Sequence, residues 1–425
     1  MKVAIIHYWF LAQGGGEKVI ESLAALFPQA DIYCLFADKK HIPRSISEER
    51  VHCSILNNVP FSNRINRALF PLYSAAAGSF ELSQYDLVIT SDSPPIKGIV
   101  TSPDAVHLSY CHTPGRFIWD LAPSFTSRLP WLARPLFAEM ASNARIADYV
   151  AAQRVDHFIA NSHYVARRIR KYYGRESTVI YPPVNAAQGY WAEQHDDYYL
   201  SVGRLIKNKR IDVLIQACNQ LKRRLVIVGE GRDERAFKAI AGPTIEFVGR
   251  VSSAELRDLY ARTRAFLFAA DEDFGIVSVE AQAFGRPVVA YGHGGSLETV
   301  RVNDPEGRSD TGVFFPEQTS QSLVNAILEF ESREHQFVPA EIREHALNFD
   351  DAVFAERITE FVNGAMRTNV MSAPVIPISK KAALSRSPGV AHAEKNASQP
   401  LGDRAQNERA RLGSNGEGSI RAVRD

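Results

Sequence analysis

Along the first 365 positions, short apolar runs alternate with stretches whose hydrophobic residues recur at helical spacing. Val3–His7, Asp31–Phe36, Leu87–Thr90, Val106–Cys111, His157–Asn161 and Thr178–Tyr181 read as strands. Tyr181-Pro182-Pro183-Val184 then interrupts the series, and 188–197 is polar and turn-like, which marks a hinge. A second series runs through Tyr198–Val202, Leu225–Val228, Ile245–Val248, Ala265–Ala269, Pro287–Tyr291 and Gly312–Phe315. Helical periods such as Arg210–Leu221 and Ser253–Ala261 lie between them. This alternation predicts a parallel α/β architecture of two doubly wound domains facing each other across a cleft. Their boundaries fall at 1–185 and 186–349, with 350–365 a C-terminal helix returning to the first domain. Ligands of such sheets bind beyond the carboxyl ends of the strands, so chemistry is sought just after each strand.

The remaining residues, 366–425, have a different character. They contain no Phe, Trp or Tyr and are rich in Ser, Ala, Gly, Pro, Arg and Asn. Such a segment cannot bury enough apolar surface to offset chain entropy, and it is expected to be a disordered basic tail. Over the whole chain of 425 residues, 49 Lys+Arg face 48 Asp+Glu, and hydrophobic residues make up 45%. A wholly disordered or fibrous chain is thereby excluded, and near-neutrality argues against a dedicated nucleic-acid binder. The even total conceals an uneven distribution: net +4 over 1–189, −8 over 190–365 and +5 over 366–425.

Cys34, Cys53, Cys111 and Cys218 are scattered, with no C-x-x-C pair, so neither a zinc site nor a disulfide framework is indicated. The apolar run at the start is too short for a signal peptide, and no run of about 18 apolar residues suggests a transmembrane helix. The expected location is the cytoplasm, free or peripheral to the inner face of the plasma membrane.

Four stretches carry candidate chemistry. Gly14-Gly15-Gly16-Glu17 joins a strand to the helical run Lys18–Leu26. Its glycines would let backbone approach a phosphate or sugar at a helix start, or they simply make a tight turn. His112, in Tyr110-Cys111-His112-Thr113-Pro114-Gly115-Arg116, ends another strand, where an imidazole can bond a substrate hydroxyl or phosphate or merely satisfy structure. Arg116 and Asp120 follow closely enough to line the same cleft. Arg204, Lys207, Lys209 and Arg210 place four cations in seven positions, at the cleft edge of the acidic domain. A diphosphate calls for that concentration, since guanidinium offers forked donors and ammonium a point charge.

The fourth stretch is Glu272-Asp273-Phe274-Gly275-Ile276-Val277-Ser278-Val279-Glu280, with a helix beginning near Gly275. Its two carboxylates suit sugar and ribose hydroxyls, and the glycine leaves backbone N–H groups open to phosphate. Asp271-Glu272-Asp273 formally matches a D-x-D metal motif, but a helix start with its own positive end has less need of a cation, and no metal is expected. Gly229-Glu230-Gly231, Gly249-Arg250-Val251 and Gly294-Gly295-Ser296 bring further backbone to the strand ends.

The ordered set Gly14–Glu17, His112, Arg204 with Lys209, Glu272-x7-Glu280 and Gly294-Gly295 before Glu298 resembles the retaining glycosyltransferases of the GT-B type, family 4 (glycosyltransferase group 1). The likeness spans about residues 1–365. His7-Tyr8-Trp9-Phe10, Ala30-Asp31-Ile32-Tyr33, His112-Thr113-Pro114 and Val179–Val184 look like bacterial transferases of lipopolysaccharide and exopolysaccharide assembly. Many of those are described as GDP-mannose-dependent mannosyltransferases. Where relatives show a Leu-Arg-x-Trp-Asp-like stretch, this chain reads Ala147-Asp148-Tyr149-Val150-Ala151, in a region expected to face the acceptor.

The resemblance implies two Rossmann-like domains and specific roles. Arg204 and Lys209 would neutralise the donor diphosphate, Glu280 would hold the nucleotide ribose and Glu272 the donor-sugar hydroxyls. Phe274, Gly275 and Ile276 would bring amides to phosphate and sugar. Gly15 and Gly16 would shape the first-domain side of the pocket, His112 would lie beside the reacting face, and Gly249, Arg250 and Val251 would line the base pocket. No cofactor is implied beyond the nucleotide-sugar donor, GDP-mannose by this likeness, and the acceptor would be a lipid-linked saccharide. A nucleotide-sugar 2-epimerase of the same fold, a transferase using a UDP-glucose-type donor and a non-catalytic subunit are the competing readings. A peripheral contact with anionic lipid is expected from Arg167-Arg168-Ile169-Arg170-Lys171, unless that run is only a solvated helix face.

Overall fold

The computed structural model describes residues 1–11, 14–93 and 95–372, with side chains through residue 368. Thirteen strands fall into two sheets among these residues. The first comprises β1 (Val3–Phe10), β2 (Asp31–Ala37), β3 (Val51–Cys53), β4 (Leu87–Asp92), β5 (Val106–Cys111), β6 (His157–Ala160) and β7 (Ser177–Val179), in the spatial order β3-β2-β1-β4-β5-β6-β7. The second comprises β8 (Tyr199–Val202), β9 (Leu225–Val228), β10 (Ile245–Gly249), β11 (Ala265–Phe268), β12 (Val288–Tyr291) and β13 (Gly312–Phe315), in the order β10-β9-β8-β11-β12-β13. Every pairing is parallel, so each lobe is a doubly wound sheet. The strand order reverses between β1 and β4 in one lobe and between β8 and β11 in the other. A crevice opens at each reversal, because the two following connections leave in opposite directions.

All twelve expected strands are present within a few residues. β1 extends three residues further than its apolar run, because Trp9 and Phe10 pair in register with Phe36 and Ala37 of β2. β3 was not expected. It is a three-residue edge strand with exposed His52 and Cys53, too short and too polar to show a period. Its register sets Cys53 opposite Cys34, with the sulfurs 3.7 Å apart, so two of the four scattered cysteines are neighbours in space.

Both faces of each sheet are covered. Ile5, Leu87 and Leu108 pack with Val19 and Leu23 of helix Gly15–Leu26, whereas Ala4, Ile6 and Val88 pack on the other side with Tyr73 and Ile96. In the second lobe, Leu225, Ile227 and Leu267 face helices Ile211–Leu221 and Ser320–Ser332; Val226, Val228 and Phe268 face Tyr260 and Val279. This alternation is the two-residue period of a strand.

The chain then returns. Val184 bridges Asp350, and Phe354, Ile358 and Val362 of helix Asp351–Ser372 enter the core of the first lobe. That helix reaches Ser372, so residues 366–372, expected in the tail, are helical. The rest of the tail lies outside the described residues.

Beneath the first sheet's crevice, Lys97 is fully buried. Its ammonium lies 3.1 Å from Asp92 and 2.5 Å from Asp148. Burial favours the neutral amine, but the two carboxylates outweigh it and raise the Lys97 pKa. Asp148 also accepts from Trp119 Nε1 and Tyr173 Oη, both at 2.8 Å. Asp148 therefore serves the interior, whereas Tyr149 and Val150 of the same stretch are exposed. A helix position with alternating exposed neighbours gives no local sign of a partner 51 residues away.

Candidate active site

The loops leaving β8 and β11 meet at the second lobe's strand-order reversal. The first carries Arg204 and Lys209; the second carries Asp271, Glu272 and Asp273. Arg204, Lys209 and Glu272 line one cavity of about 870 Å³, together with Arg116, Asp271 and Asp273. Lys209 Nζ donates to Glu272 Oε1 at 2.6 Å. Among the described residues, Arg204 has no carboxylate within ion-pairing distance. It therefore presents an uncompensated guanidinium at the cavity wall.

Backbone shape fixes these loops. Gly275, at φ +91°, caps helix Ile276–Ala283 in a left-handed conformation that a side chain would strain. Phe274 is buried against Tyr181 and Phe349, anchoring the loop to the hinge. Gly295 lies against this loop so closely that a Cβ there would sit 2.3 Å from Phe274 Cα. Further along the helix, Glu280 accepts from Lys18 Nζ at 2.5 Å and from Tyr260 Oη at 3.1 Å.

Across the cleft, the glycine-rich turn touches the same helix start. A Cβ on Gly15 would fall 2.6 Å from Ile276 Cδ1, and one on Gly16 would fall 2.5 Å from the Tyr8 hydroxyl. Burial raises the Tyr8 pKa and Glu17 adds to this, while Arg204 opposes it, so the hydroxyl stays protonated. His112 follows β5 and shares a bond with Ser91 Oγ at 2.8 Å through Nε2. Ser91 in turn lies 3.1 Å from His7 Nδ1, and His7 Nε2 lies 3.9 Å from Glu17. Burial pushes the His112 pKa down to about 3, with His7 adding to the effect, so the imidazole is neutral at ordinary pH. His7 is lowered by burial too, against the opposing pull of Glu17.

Sequence reasoning missed the ties that hold the lobes together. The Arg116 guanidinium donates to the backbone carbonyl oxygen of Asp271 at 3.1 Å and to its carboxylate at 2.9 Å. Arg168 pairs with Asp273 and lies 3.4 Å from Asp120. Burial raises the Asp273 pKa, with Arg168 and Arg116 opposing it. Burial also acts upward on Asp271, but Arg116 and His293 outweigh it and leave that carboxyl below its usual range. The outer carboxylates of the D-x-D motif are thus each held by an arginine of the opposite lobe. Among the described residues no cluster of three or more His, Cys, Asp or Glu is arranged to hold a metal ion. Glu298 accepts from the backbone N–H groups of His163 and Tyr164, at 2.7 and 2.8 Å, and so caps helix His163–Tyr173 from across the hinge. Strand ends at the reversal point could have indicated Ser91; no local pattern announces Arg168 or Lys18.

Not every expected residue joins this cavity. Gly249, which ends edge strand β10, and Arg250 and Val251 after it do not line it, and neither do His112, Gly15, Gly16, Phe274, Gly275, Ile276 or Glu280; Arg250 makes an exposed ion pair with Glu230 at 3.2 Å. The basic run of helix His163–Tyr173 is also divided. Arg168 turns inward and Arg170 pairs with Glu176 at 2.7 Å, leaving Arg167 and Lys171 as its exposed, unpaired cations. That run therefore exposes three of its four expected cations: Arg167, Arg170 and Lys171, spaced i, i+3 and i+4, lie along one side, and Arg170 is paired with Glu176.

Comparisons with known proteins agree with this layout. Residues 13–188 match the model of Glycosyltransferase Family 4, and residues 189–348 match that of Glycosyl transferases group 1. The chain is 23% identical over 374 residues to alpha-1,3/1,6-mannosyltransferase ALG2 of Saccharomyces cerevisiae, covering 70% of this chain and 71% of that one. Over 113 residues it is 34% identical to a GDP-mannose-dependent monoacylated alpha-(1-6)-phosphatidylinositol monomannoside mannosyltransferase of Corynebacterium glutamicum, covering 23% and 30% of the two chains. Among solved structures, Anabaena Alr3699/HepE in complex with UDP superposes with a TM-score of 0.62 at 18% identity, over 86% of this chain and all of that one. Sucrose-phosphate synthase of Thermosynechococcus elongatus superposes at 0.64 and 17%, over 87% of this chain and all of the other.

Proposed function

Because the chain belongs to glycosyltransferase family 4 and has the GT-B fold, we propose that it moves mannose from GDP-mannose to a lipid-linked saccharide, with retention and without a metal, in the assembly of a bacterial surface polysaccharide. One observation carries the reading: an unpaired Arg204 and a transferable Lys209 converge with Glu272 on the cavity at the strand-order reversal. Support for the donor comes from relatives whose names state GDP-mannose dependence, and support for the sugar from the ALG2 mannosyltransferase.

Glycosyl transfer builds positive charge on the anomeric carbon and negative charge on the departing diphosphate. Fixed cations and helix N–H groups stabilise that negative charge where it develops. In this reading Arg204 takes one phosphate directly. The second phosphate competes with Glu272 for the Lys209 ammonium, which frees the Glu272 carboxylate to accept from donor-sugar hydroxyls. Glu280, already aligned by Tyr260, exchanges its Lys18 partner for the ribose hydroxyls. The amides at Gly275 and Ile276 face the phosphate at the positive end of their helix.

His112 is neutral and acts as a hydrogen-bond partner rather than a cation; Ser91 engages Nε2 and leaves Nδ1 for the sugar. The acceptor hydroxyl attacks the anomeric carbon on the face the diphosphate leaves, and its proton passes to a phosphate oxygen. Lobe closure through Arg116, Arg168 and Glu298 keeps water out and suppresses donor hydrolysis.

The test is nucleotide release from GDP-mannose and UDP-glucose with a bacterial membrane extract as acceptor. The reading expects GDP-mannose to be preferred and turnover to vanish in Glu272→Ala and Lys209→Ala with the fold intact. Near-normal rates in both variants would overturn the site, and preference for UDP-glucose would overturn the donor.

A further inference from the structure

Two segments of the first lobe stand apart in composition. Residues 54–80 and 121–138 contain no Asp, Glu or Lys, but carry Arg64, Arg67, Arg128 and Arg134. None of these four arginines forms an ion pair among the described residues. Arg134 spends its donors on the carbonyls of Leu129 and Ser127, and Arg128 reaches only the Ser124 hydroxyl.

The same segments hold the five most exposed large apolar side chains among the described residues. Ile55 and Phe61 are 73% exposed, Trp131 73%, Leu132 72% and Leu136 76%. Phe61 is moreover held at φ +59°, a left-handed conformation that costs a bulky residue energy, with its ring turned to solvent. Helix Arg134–Gln153 buries only Ala141, Asp148, Ala151 and Ala152 over its 20 residues. No interior packing explains this arrangement.

Aromatic contacts join the two segments. Phe70 of the first meets Phe117 at 5.2 Å between ring centroids, and Phe117 meets Phe125 of the second at 6.4 Å. Phe117 and Phe125 also line the cavity that holds Arg204, Lys209 and Glu272. The exposed apolar surface therefore runs to the mouth of the candidate active site.

We propose that this surface, centred on Phe61, Trp131 and Leu132 and flanked by Arg64, Arg67 and Arg134, seats the first lobe on an anionic lipid bilayer. Exposed aromatic and leucine side chains enter the headgroup boundary, and unpaired guanidiniums meet lipid phosphates; the sum gives binding that strengthens with anionic lipid and weakens with salt. A soluble acidic protein would complement the arginines and the apolar side chains as well, but the continuity of this surface with a cavity assigned a lipid-linked acceptor favours the bilayer. The seat deepens the proposed reaction, because a lipid-linked acceptor would then reach the cavity along the Phe117–Phe125 wall without leaving the membrane.

Sedimentation of the full chain with vesicles decides the matter, with no donor or acceptor present. Wild type should sediment with vesicles containing about a quarter phosphatidylglycerol and much less with pure phosphatidylcholine. Arg64→Gln with Arg67→Gln should lower partitioning on the order of 30-fold, at about fivefold per arginine, and Trp131→Ser with Leu132→Ser by about tenfold or more. Arg167→Gln with Lys171→Gln, on helix His163–Tyr173, should leave it unchanged. All these side chains are solvent-exposed, so thermal midpoints should stay at the wild-type value.

Wild type that stays in the supernatant, or surface variants that sediment like wild type, overturns the proposal. So does a lipid-free dimer that Trp131→Ser with Leu132→Ser converts to monomer, because a second copy would then cover the surface. A chain that binds vesicles yet releases no nucleotide from any sugar donor refutes the proposed reaction and leaves the seat standing.

Discussion

Substituting Gly295 by alanine adds a single carbon to the turn after β12, yet the structure assigns it a large effect. The new Cβ would lie 2.3 Å from Phe274 Cα and 2.5 Å from the Phe274 carbonyl oxygen. Ordinary contact begins about 1 Å farther out, and both obstacles are backbone, so the loop carrying Glu272, Phe274 and Gly275 must move by roughly that amount. Overpacking of this kind costs about 1–3 kcal/mol. A 1 Å misplacement of positioning groups can lower turnover about 100-fold. Gly15→Ala provides the contrast. Its Cβ would lie 2.6 Å from Ile276 Cδ1, but that atom ends a flexible side chain and can rotate away. An alanine in the first turn of helix Gly15–Leu26 also gains up to about 1 kcal/mol in helix propensity. We expect Gly295→Ala to lower both the thermal midpoint and nucleotide release sharply, and Gly15→Ala to alter either by only a few-fold or a few degrees. Both are read by differential scanning fluorimetry and a coupled nucleotide-release assay. A fully active, fully stable Gly295→Ala protein, or a Gly15→Ala protein equally damaged, would refute the reasoning.

Two further outcomes concern the first lobe's interior. Lys97→Met leaves Asp92 and Asp148 buried without their shared cation, and should cost about 3–5 kcal/mol in urea unfolding followed by circular dichroism; a loss below about 1 kcal/mol would contradict the buried pairing. His107 is 1% exposed, and burial pushes its pKa down to about 3 from an ordinary 6.5. As pH falls below 6.5 the unfolded chain takes up this proton first, so stability present above 6.5 is lost progressively toward pH 3, by up to about 1.4 kcal/mol per unit. The urea midpoint should fall between pH 7 and pH 5, and the fall should be smaller in His107→Asn; equal slopes would remove His107 as the cause.

The fold was legible because strand cores are local features. Runs such as Leu225–Val228 and Ala265–Phe268 announce themselves in four consecutive residues, and parallel strands separated by helical periods leave few arrangements. The cavity residues were legible for a related reason. Arg204, Lys209 and Glu272 follow strand ends at a reversal of strand order, where charges unsuited to a turn stand out. What stayed hidden depends on pairs distant in sequence. Arg168 belongs to a run of cations on a surface-like helix, and only the folded chain shows it turning toward Asp273, 105 residues later. Asp148 and Lys97 are hidden in the same way. Edge strand β3, with two of its three residues exposed, had no apolar signature to offer.

The central claim is that Arg204 and Lys209 receive the diphosphate of a nucleotide-sugar donor, and calorimetric titration with GDP and GMP tests it most directly. Each charge-assisted contact to phosphate is worth about 1.5–3 kcal/mol. Arg204→Ala and Lys209→Ala should each weaken GDP binding on the order of 10–100-fold, while GMP, with one phosphate fewer, loses far less. Undiminished GDP affinity in both variants, or equal losses for GDP and GMP, would contradict the account.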